Sequence, residues 1–446
     1  MGLLFPSVSL ESDLPSSIDL AIIGAGPQAL TLVTHLLQKR AKLRGRFRVF
    51  DPSGAWLSRW RSQFAAQEIQ HLRSPAVHHP DPHPVALRNF AQATSAEFHP
   101  PYDRPGTQLF NDFCTSVVAR WQLQDCLIPQ AVTELKVESG RSPFVLTTPA
   151  GQVRARRVVL ATGAGQAHWP DWALRSRLEL GLGSELTPAQ PHPPIRHASQ
   201  IDLARLADLT GEHVLIVGGG LSSGHLALGA IRRGARVTLL LRGPAKEKLF
   251  DADPGWLGPK YLKGFAQEPD WEKRWQMIKA ARNGGSFTPE VLTQLRKLSR
   301  DGKVELLEHC AIEQAEPETD LSAHSSRPGW QVRYREDGSG LLRTLVGDRL
   351  WLATGQVMDA RQHPLLQSVQ QAYPTQMVAG LPVLDQHLRW PGLELFVLGG
   401  LAALQLGPAA RNIHGGRMAA ERVVPAIVKP SLALGISDTP PVRSIK

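Results

Sequence analysis

Cysteine is scarce in this chain: Cys114, Cys126 and Cys310 are the only three in 446 residues, and no two of them form a C-x-x-C pair. They are too few and too widely spaced for a disulfide framework, which points to a reducing compartment, and the missing pair argues against a dithiol redox centre. No apolar run of about 18 residues and no leader-like segment is present, so a soluble, cytoplasmic protein without a transmembrane segment is expected. RNP-type aromatic patterns, zinc-ligand spacings and long basic runs are also missing, and no nucleic-acid partner is expected. The formal charge of +10 would suit nucleic acid, an anionic membrane surface or anionic cofactors, and its scatter along the chain favours the last. A chain this long exceeds one ordinary core and implies two or three domains.

The stretch Leu20 to Ala29 carries nameable chemistry. An apolar run ends in Gly24, Gly26, Pro27 and small Ala29, followed by helical spacing at Leu30, Leu32, Val33, Leu36 and Leu37. This is the G-x-G-x-x-G/A dinucleotide fingerprint in its strand-turn-helix setting. Gly24 permits the tight turn, and Gly26 lets backbone N–H groups approach a pyrophosphate at the positive helix N-terminus. Asp51 ends the next strand, 22 residues past Ala29, where a carboxylate accepts from an adenosine ribose.

A second fingerprint follows at His213 to Gly224, with Gly218, Gly220, Leu221, Ser222 and Ser223 at the turn. Its second strand ends in Arg242, 19 residues past Ser223, a cation suited to a 2′-phosphate and hence to NADPH. The same residues, Gly220-Leu-Ser-Ser-Gly224, also match the G-x-S-x-G nucleophile elbow, which the shared strand-turn-helix setting does not require. Two further strands end alike, in Ala161-Thr162-Gly163 and Ala353-Thr354-Gly355, each implying a sharp bend beside a close backbone approach.

Between these landmarks, Trp56 and Trp60 fall at i and i+4 after a glycine turn, a spacing that puts both rings on one face of a short helix, as core or as the roof of a cofactor ring. Residues 68–113 are so rich in proline that an extended excursion without regular helix is expected. His78, His79, Asp81 and His83 lie there, but Pro80 and Pro82 interrupt them, and a pocket-lining loop is preferred to a metal site. Residues 244–300 read as inserted amphipathic helices, serving as a substrate lid or an interface. Near the C-terminus, Gly399, Gly400, Gly407 and Pro408 predict a glycine-ended strand and then a helix begun by Pro408, aiming its positive N-terminus at a ligand; for a flavin the atoms met would be the N1/O2 edge.

The order of these elements resembles the flavoproteins with two dinucleotide-binding domains. Within them it resembles the class B flavin monooxygenases that hydroxylate the side-chain nitrogen of lysine or ornithine, and also the oxidative-stress-induced growth inhibitor proteins. The stretches carrying the likeness are the turn to Trp60, the Pro/His segment from His71 to Pro84, Arg104 to Phe113, and Phe287-Thr-Pro-Glu290. Two departures stand out. The family's Phe-x-Gly-x-x-x-His survives only as Ile195-Arg-His197, and its Gly-Asp reads Gly399-Gly400.

The resemblance implies an α/β fold with two Rossmann-like, three-layer ββα dinucleotide-binding domains, the NADPH domain inserted into the FAD domain. The expected division is a flexible arm at 1–17, an FAD domain at 18–205 and 345–428, an NADPH domain at 206–344, and a tail at 429–446. The implied reaction uses FAD, NADPH and O2 to insert one oxygen atom, through a flavin C4a-hydroperoxide, into a small amine-type substrate. Trp60, His78, His79 and Gln405 are the candidates near flavin and substrate, and a homo-oligomer is allowed. Two other outcomes stay open: an NADPH dehydrogenase or oxidase serving a quinone, a protein or O2, and a non-enzymatic redox sensor.

Overall fold

The computed structural model describes residues 14–163, 165–179, 194–282, 284–318 and 328–434. The expected tail from 435 onward and most of the arm, residues 1–13, lie outside them.

Strand Ser17–Ile23 is the centre of a seven-stranded sheet, flanked in parallel by Phe47–Phe50 and Gly151–Leu160. The ten-residue strand Gly151–Leu160 serves two partners. Its first half alternates exposed and buried residues and pairs antiparallel with Phe144–Thr148. Its last residues, continuously buried, pair in parallel with Leu395–Val397 from the far end of the chain. Helix Pro27–Lys39, with proline at its first position, covers this sheet together with the terminal helix Ile413–Val428.

A second, all-parallel sheet runs in the order Arg196–His197, Arg349–Leu352, His213–Val217, Arg236–Leu240, Val304–Leu307. The two sheets, the first parallel at its centre and the second lying in sequence between strands of the first, make the expected α/β architecture of two Rossmann-like units. Three antiparallel strands, Cys310–Glu318, Gly329–Glu336 and Leu342–Gly347, pack on the second unit.

Four local expectations are corrected. Residues 194–205 and 345–355 go with the second unit, because Arg196–His197 pairs with Trp351–Leu352 and Ile201 and Leu203 lie in that unit's core. A two-residue strand has no period from which to read this. The 68–113 segment does contain a helix, Ala86–Ala93, beginning just past its last clustered proline, Pro84. Trp56 and Trp60 do not share a helical face, since left-handed Leu57 (φ +60°) delays the helix to Ser58–Ala66. The terminal helix starts at Ile413 rather than Pro408, because residues 407–412 form a turn first.

The inserted helices bridge both units. Trp256, Phe265 and Ile278 are buried in the first core, whereas Phe287, Val291, Leu292 and Leu295 are buried in the second. Arg274 donates to the carbonyl of Leu404 at 3.1 Å and Arg282 to that of Pro408 at 2.8 Å, fastening the insertion over residues 404–408.

Candidate active site between two glycine cradles

Both fingerprints fold the same way, and each Ala-Thr-Gly is the surface its fingerprint turns against. Gly24 (φ +100°) donates to Phe50 O at 2.8 Å, and Gly218 (φ +139°) to Leu240 O at 3.0 Å. A β-carbon at Gly24 would stand 2.6 Å from Ala161 O, and one at Gly218 2.3 Å from Ala353 O. These contacts are backbone to backbone, so they exclude any side chain. Gly163 and Gly355 then bend the chain at φ +82° and +86°. Ala29 and Ser223, the third small positions, are fully buried against their strands.

The first cradle is open: nothing lies within 4 Å of the place where a β-carbon on Gly26 would point. Asp51 Oδ2 accepts from Ala25 N at 3.0 Å, and Oδ1 accepts from Ser53 N and its hydroxyl. A lone pair on Oδ2 therefore stays available for a ribose hydroxyl. Gln28, in the first helical turn, donates to Ala410 O at 2.8 Å and Asn412 O at 3.3 Å, while its Oε1 is buried without a partner beside Gly399. His363 Nδ1 and Gln405 Oε1 are likewise buried and unpartnered. His363 Nε2 lies 2.9 Å from the Thr162 hydroxyl, and Gln405 donates to Leu384 O. Buried polar atoms are rarely left unpaired. An open cradle with a ribose acceptor and unmet polar atoms fits the adenylate, pyrophosphate and ribityl parts of FAD.

The second cradle repeats the glycine turn and the helix N-terminus of the first. Leu221 and Ser222 stand in the first turn of helix Leu221–Arg232, and the Ser223 hydroxyl donates to Gly220 O at 2.6 Å. Ser222 lies in regular helix, not on a strained elbow, so the hydrolase alternative has no geometric support. Arg242 is exposed just past strand Arg236–Leu240. Thr354 donates to His168 O, and His197 Nε2 lies 3.0 Å from Gly355 O, so the remnant histidine motif braces the second Ala-Thr-Gly turn.

Several of the remaining sequence candidates are packed into the core. Trp56 is buried and donates to Leu123 O at 3.0 Å, and Trp60 stacks on Phe64 at 3.9 Å. His79 lies against Pro84 O and the edge of Phe113. His78 is buried against His414, with ring centroids 4.9 Å apart. Burial, followed by the charges of His414 and His79, pushes its pKa down to about 4, so it is neutral near pH 7. Asp81 accepts from Arg120, Trp121 and the His83 backbone and acts as a structural clasp. Gly407 turns at φ +81°, packed against Leu262, with Pro408 beside it.

A network that motif reading missed joins the two units. Glu68 pairs with Arg232 and Arg233, Arg104 with Glu290 at 2.6 Å, and Arg73 with Asp251 at 2.7 Å and the Ser286 hydroxyl at 2.8 Å. Asp251 also pairs with Arg282 at 3.1 Å. Burial disfavours the Asp251 charge, but Arg282, Arg73 and Arg411 outweigh it and hold the carboxyl below its ordinary range. Arg104 and Glu290 fall in stretches that carry the family resemblance, but no spacing rule marks the pairing of any of these charges, because the partners lie far apart in sequence.

Two such cradles, each where a parallel strand runs into a helix, give the fold of the FAD/NAD(P)-binding oxidoreductases. Residues 21–165, about a third of the chain, match a family model described as FAD-NAD(P)-binding. No curated protein sequence matches. Among solved structures, an ornithine N-hydroxylase from Kutzneria, solved with reduced FAD, NADP+ and L-ornithine, is 15% identical with a TM-score of 0.72 over 92% of this chain and 99% of that one. The FAD-bound cadaverine monooxygenase of Erwinia amylovora is 14% identical with a TM-score of 0.71 over 96% and 99%. The bacillithiol disulfide reductase of Staphylococcus aureus is 16% identical with a TM-score of 0.56 over 93% and 98%. At these identities the likeness is one of fold. Among the described residues no helix is long and apolar enough to cross a membrane.

Proposed function

We propose that this oxidoreductase is an FAD-dependent monooxygenase that takes its electrons from NADPH and inserts one oxygen atom of O2 into a small amine-type substrate. The observation that carries the reading is the pair of cradles, with Asp51 behind the first and Arg242 behind the second, in a chain whose cysteines are unfit for redox relay. Cys114, Cys126 and Cys310 are each buried and unpaired. Burial pushes their thiols up, Cys126 to about 12 and Cys310 to about 11. A disulfide reductase needs an accessible, low-pKa thiol, which none of the three supplies.

When bound, the flavin accepts a hydride from the nicotinamide and activates O2 for oxygen transfer. The chain supplies binding, orientation and dryness. Gly24, Gly26, Pro27 and Ala29 seat the FAD pyrophosphate, Asp51 the ribose, and Thr162, Gly163, Gly399 and Gly400 the backbone approach further along. Gly218, Gly220, Leu221, Ser222 and Ser223 seat the NADPH pyrophosphate, and Arg242 its 2′-phosphate. The inserted helices, fastened to Leu404 and Pro408, keep water from the reacting centre.

The visible spectrum of the purified protein, with and without anaerobic NADPH, tests flavin content and reduction together. Supply of O2 with amine panels then separates hydroxylated product from stoichiometric peroxide. Peroxide alone, or turnover with quinones, assigns the chain to the dehydrogenase or oxidase reading. One observation favours a sensor: the second cradle is covered by Gly285, which lies against Gly219 and Gly220. Saturable, substrate-dependent NADPH oxidation excludes that reading.

A further inference from the structure

The second glycine of a dinucleotide fingerprint is bare so that a pyrophosphate can approach the backbone. The space facing that glycine differs between the two cradles. At Gly26 a β-carbon would meet nothing within 4 Å, whereas at Gly220 it would stand 3.7 Å from Gly285 Cα. A β-carbon on Gly285 would in turn lie 2.7 Å from Gly219 O. The chain at residue 285 thus occupies the ground that a pyrophosphate needs.

That stretch is held at its ends and loosely in its middle. Before it, Arg282 donates to Pro408 O at 2.8 Å and to Asp251 at 3.1 Å. After it, Phe287 is fully buried, its N–H donating to Lys246 O and its carbonyl accepting from the N–H of Lys248, both at 2.9 Å. Between them, Gly284 and Gly285 are exposed, Gly284 turns at φ +75°, and neither makes a hydrogen bond among the described residues. Two successive glycines have no side chains to pack and bend freely. The fastening is Ser286, buried, whose hydroxyl accepts from Arg73 at 2.8 Å. Arg73 itself is fixed without Ser286, because it also donates to Leu249 O at 2.6 Å and to Asp251 at 2.7 Å.

We propose that residues 284–286 are a lid on the second cradle, latched to the first unit by the Arg73–Ser286 hydrogen bond, and that a nicotinamide dinucleotide seats its pyrophosphate only after the lid lifts. The inference rests on the nicotinamide reading of that cradle. A closed lid lowers the apparent affinity in proportion to the fraction of molecules that are open. The adenosine end of the ligand escapes this cost, since Arg242 lies at the end of the next strand and Gly285 covers Gly219 and Gly220.

The test compares wild type with Ser286→Ala, using NADP+ and 2′-AMP, which carries the adenosine and the 2′-phosphate but no pyrophosphate. Removing the latch is expected to tighten NADP+ about fivefold, the worth of one net hydrogen bond, and to leave 2′-AMP unchanged. Unchanged 2′-AMP binding also shows that the second unit of the variant is folded. In the wild type, deuterium uptake over residues 284–288 is expected to rise on saturation with NADP+ and not with 2′-AMP. An NADP+ affinity that stays the same or weakens, equal tightening of 2′-AMP, or uptake that NADP+ leaves unchanged or lowers overturns the lid. A wild-type protein that binds neither ligand overturns the nicotinamide reading, and this inference with it.

Discussion

Gly285 lies with its backbone against Gly220: a β-carbon on Gly220 would stand 3.7 Å from Gly285 Cα, while one at the equivalent position of the first cradle, Gly26, faces nothing within 4 Å. One cradle is open and the other is covered by the chain that follows the inserted helices. The cover is tied to the first unit through the Ser286 hydroxyl, which accepts from Arg73 at 2.8 Å.

Ser286→Ala removes that tie. With the cover loosened, NADPH is expected to associate several-fold faster in stopped-flow mixing, and an unchanged association rate refutes a gating role for this segment. Gly285→Ala sets a β-carbon against the backbone of Gly219 and Gly220, and overpacking of this kind costs about 1–3 kcal/mol. A lowered melting temperature checks it.

The matched contacts of Gly24 on Ala161 and Gly218 on Ala353 give a paired prediction. Alanine at either glycine meets a left-handed backbone costing about 1–3 kcal/mol and a carbonyl inside contact distance. Under the cofactor assignment, Gly24→Ala loses flavin absorbance per chain. Gly218→Ala keeps the flavin but loses its anaerobic reduction by NADPH. The reverse pattern exchanges the two cofactors.

The burial of His78, and after it the charges of His414 and His79, make stability depend on pH in a defined window. The folded pKa of about 4 lies below the ordinary histidine value of 6.5, so the folded state prefers the neutral ring. The associated stabilisation is present above pH 6.5 and is lost as pH falls toward 4, to a total of about 3 kcal/mol. His225, pushed to about 4 by burial and then by the charges of His71 and Arg232, acts in the same direction. Urea denaturation across this window should show stability falling with acidity, and His78→Gln should flatten the fall. A variant with the wild-type slope shows that His78 is not the group responsible.

Much of the geometry of the two glycine turns is legible in the sequence because glycine and strand periodicity are local signals. Gly24, Asp51, Gly218 and the two Ala-Thr-Gly ends were read from runs of a few residues whose meaning depends on backbone conformation alone. Partners distant in sequence were not readable this way: Gln28 reaches Ala410, and Arg73 reaches Asp251 and Ser286, across stretches with no periodic pattern. Helix starts failed where a single residue decided them. Left-handed Leu57 separated Trp56 from Trp60, and the turn at residues 407–412 displaced the terminal helix. The fold was therefore carried by repeated short motifs, and the cleft by isolated charges that only the packing brings together.

Arg242 offers the most direct check on which dinucleotide the second cradle takes. It is exposed at the carboxyl end of its strand, so before a ligand binds it contributes little to folding. Its contribution appears on contact with a 2′-phosphate, where a charge-assisted hydrogen bond is worth about 1.5–3 kcal/mol. Arg242→Ala should therefore weaken NADPH roughly 10- to 150-fold while leaving NADH, which lacks the phosphate, nearly unchanged. Fluorescence titration of both cofactors measures the ratio, and thermal unfolding should match the wild type. If the two affinities keep their wild-type ratio, the 2′-phosphate does not lie at Arg242 and the preference for NADPH has no basis in this strand.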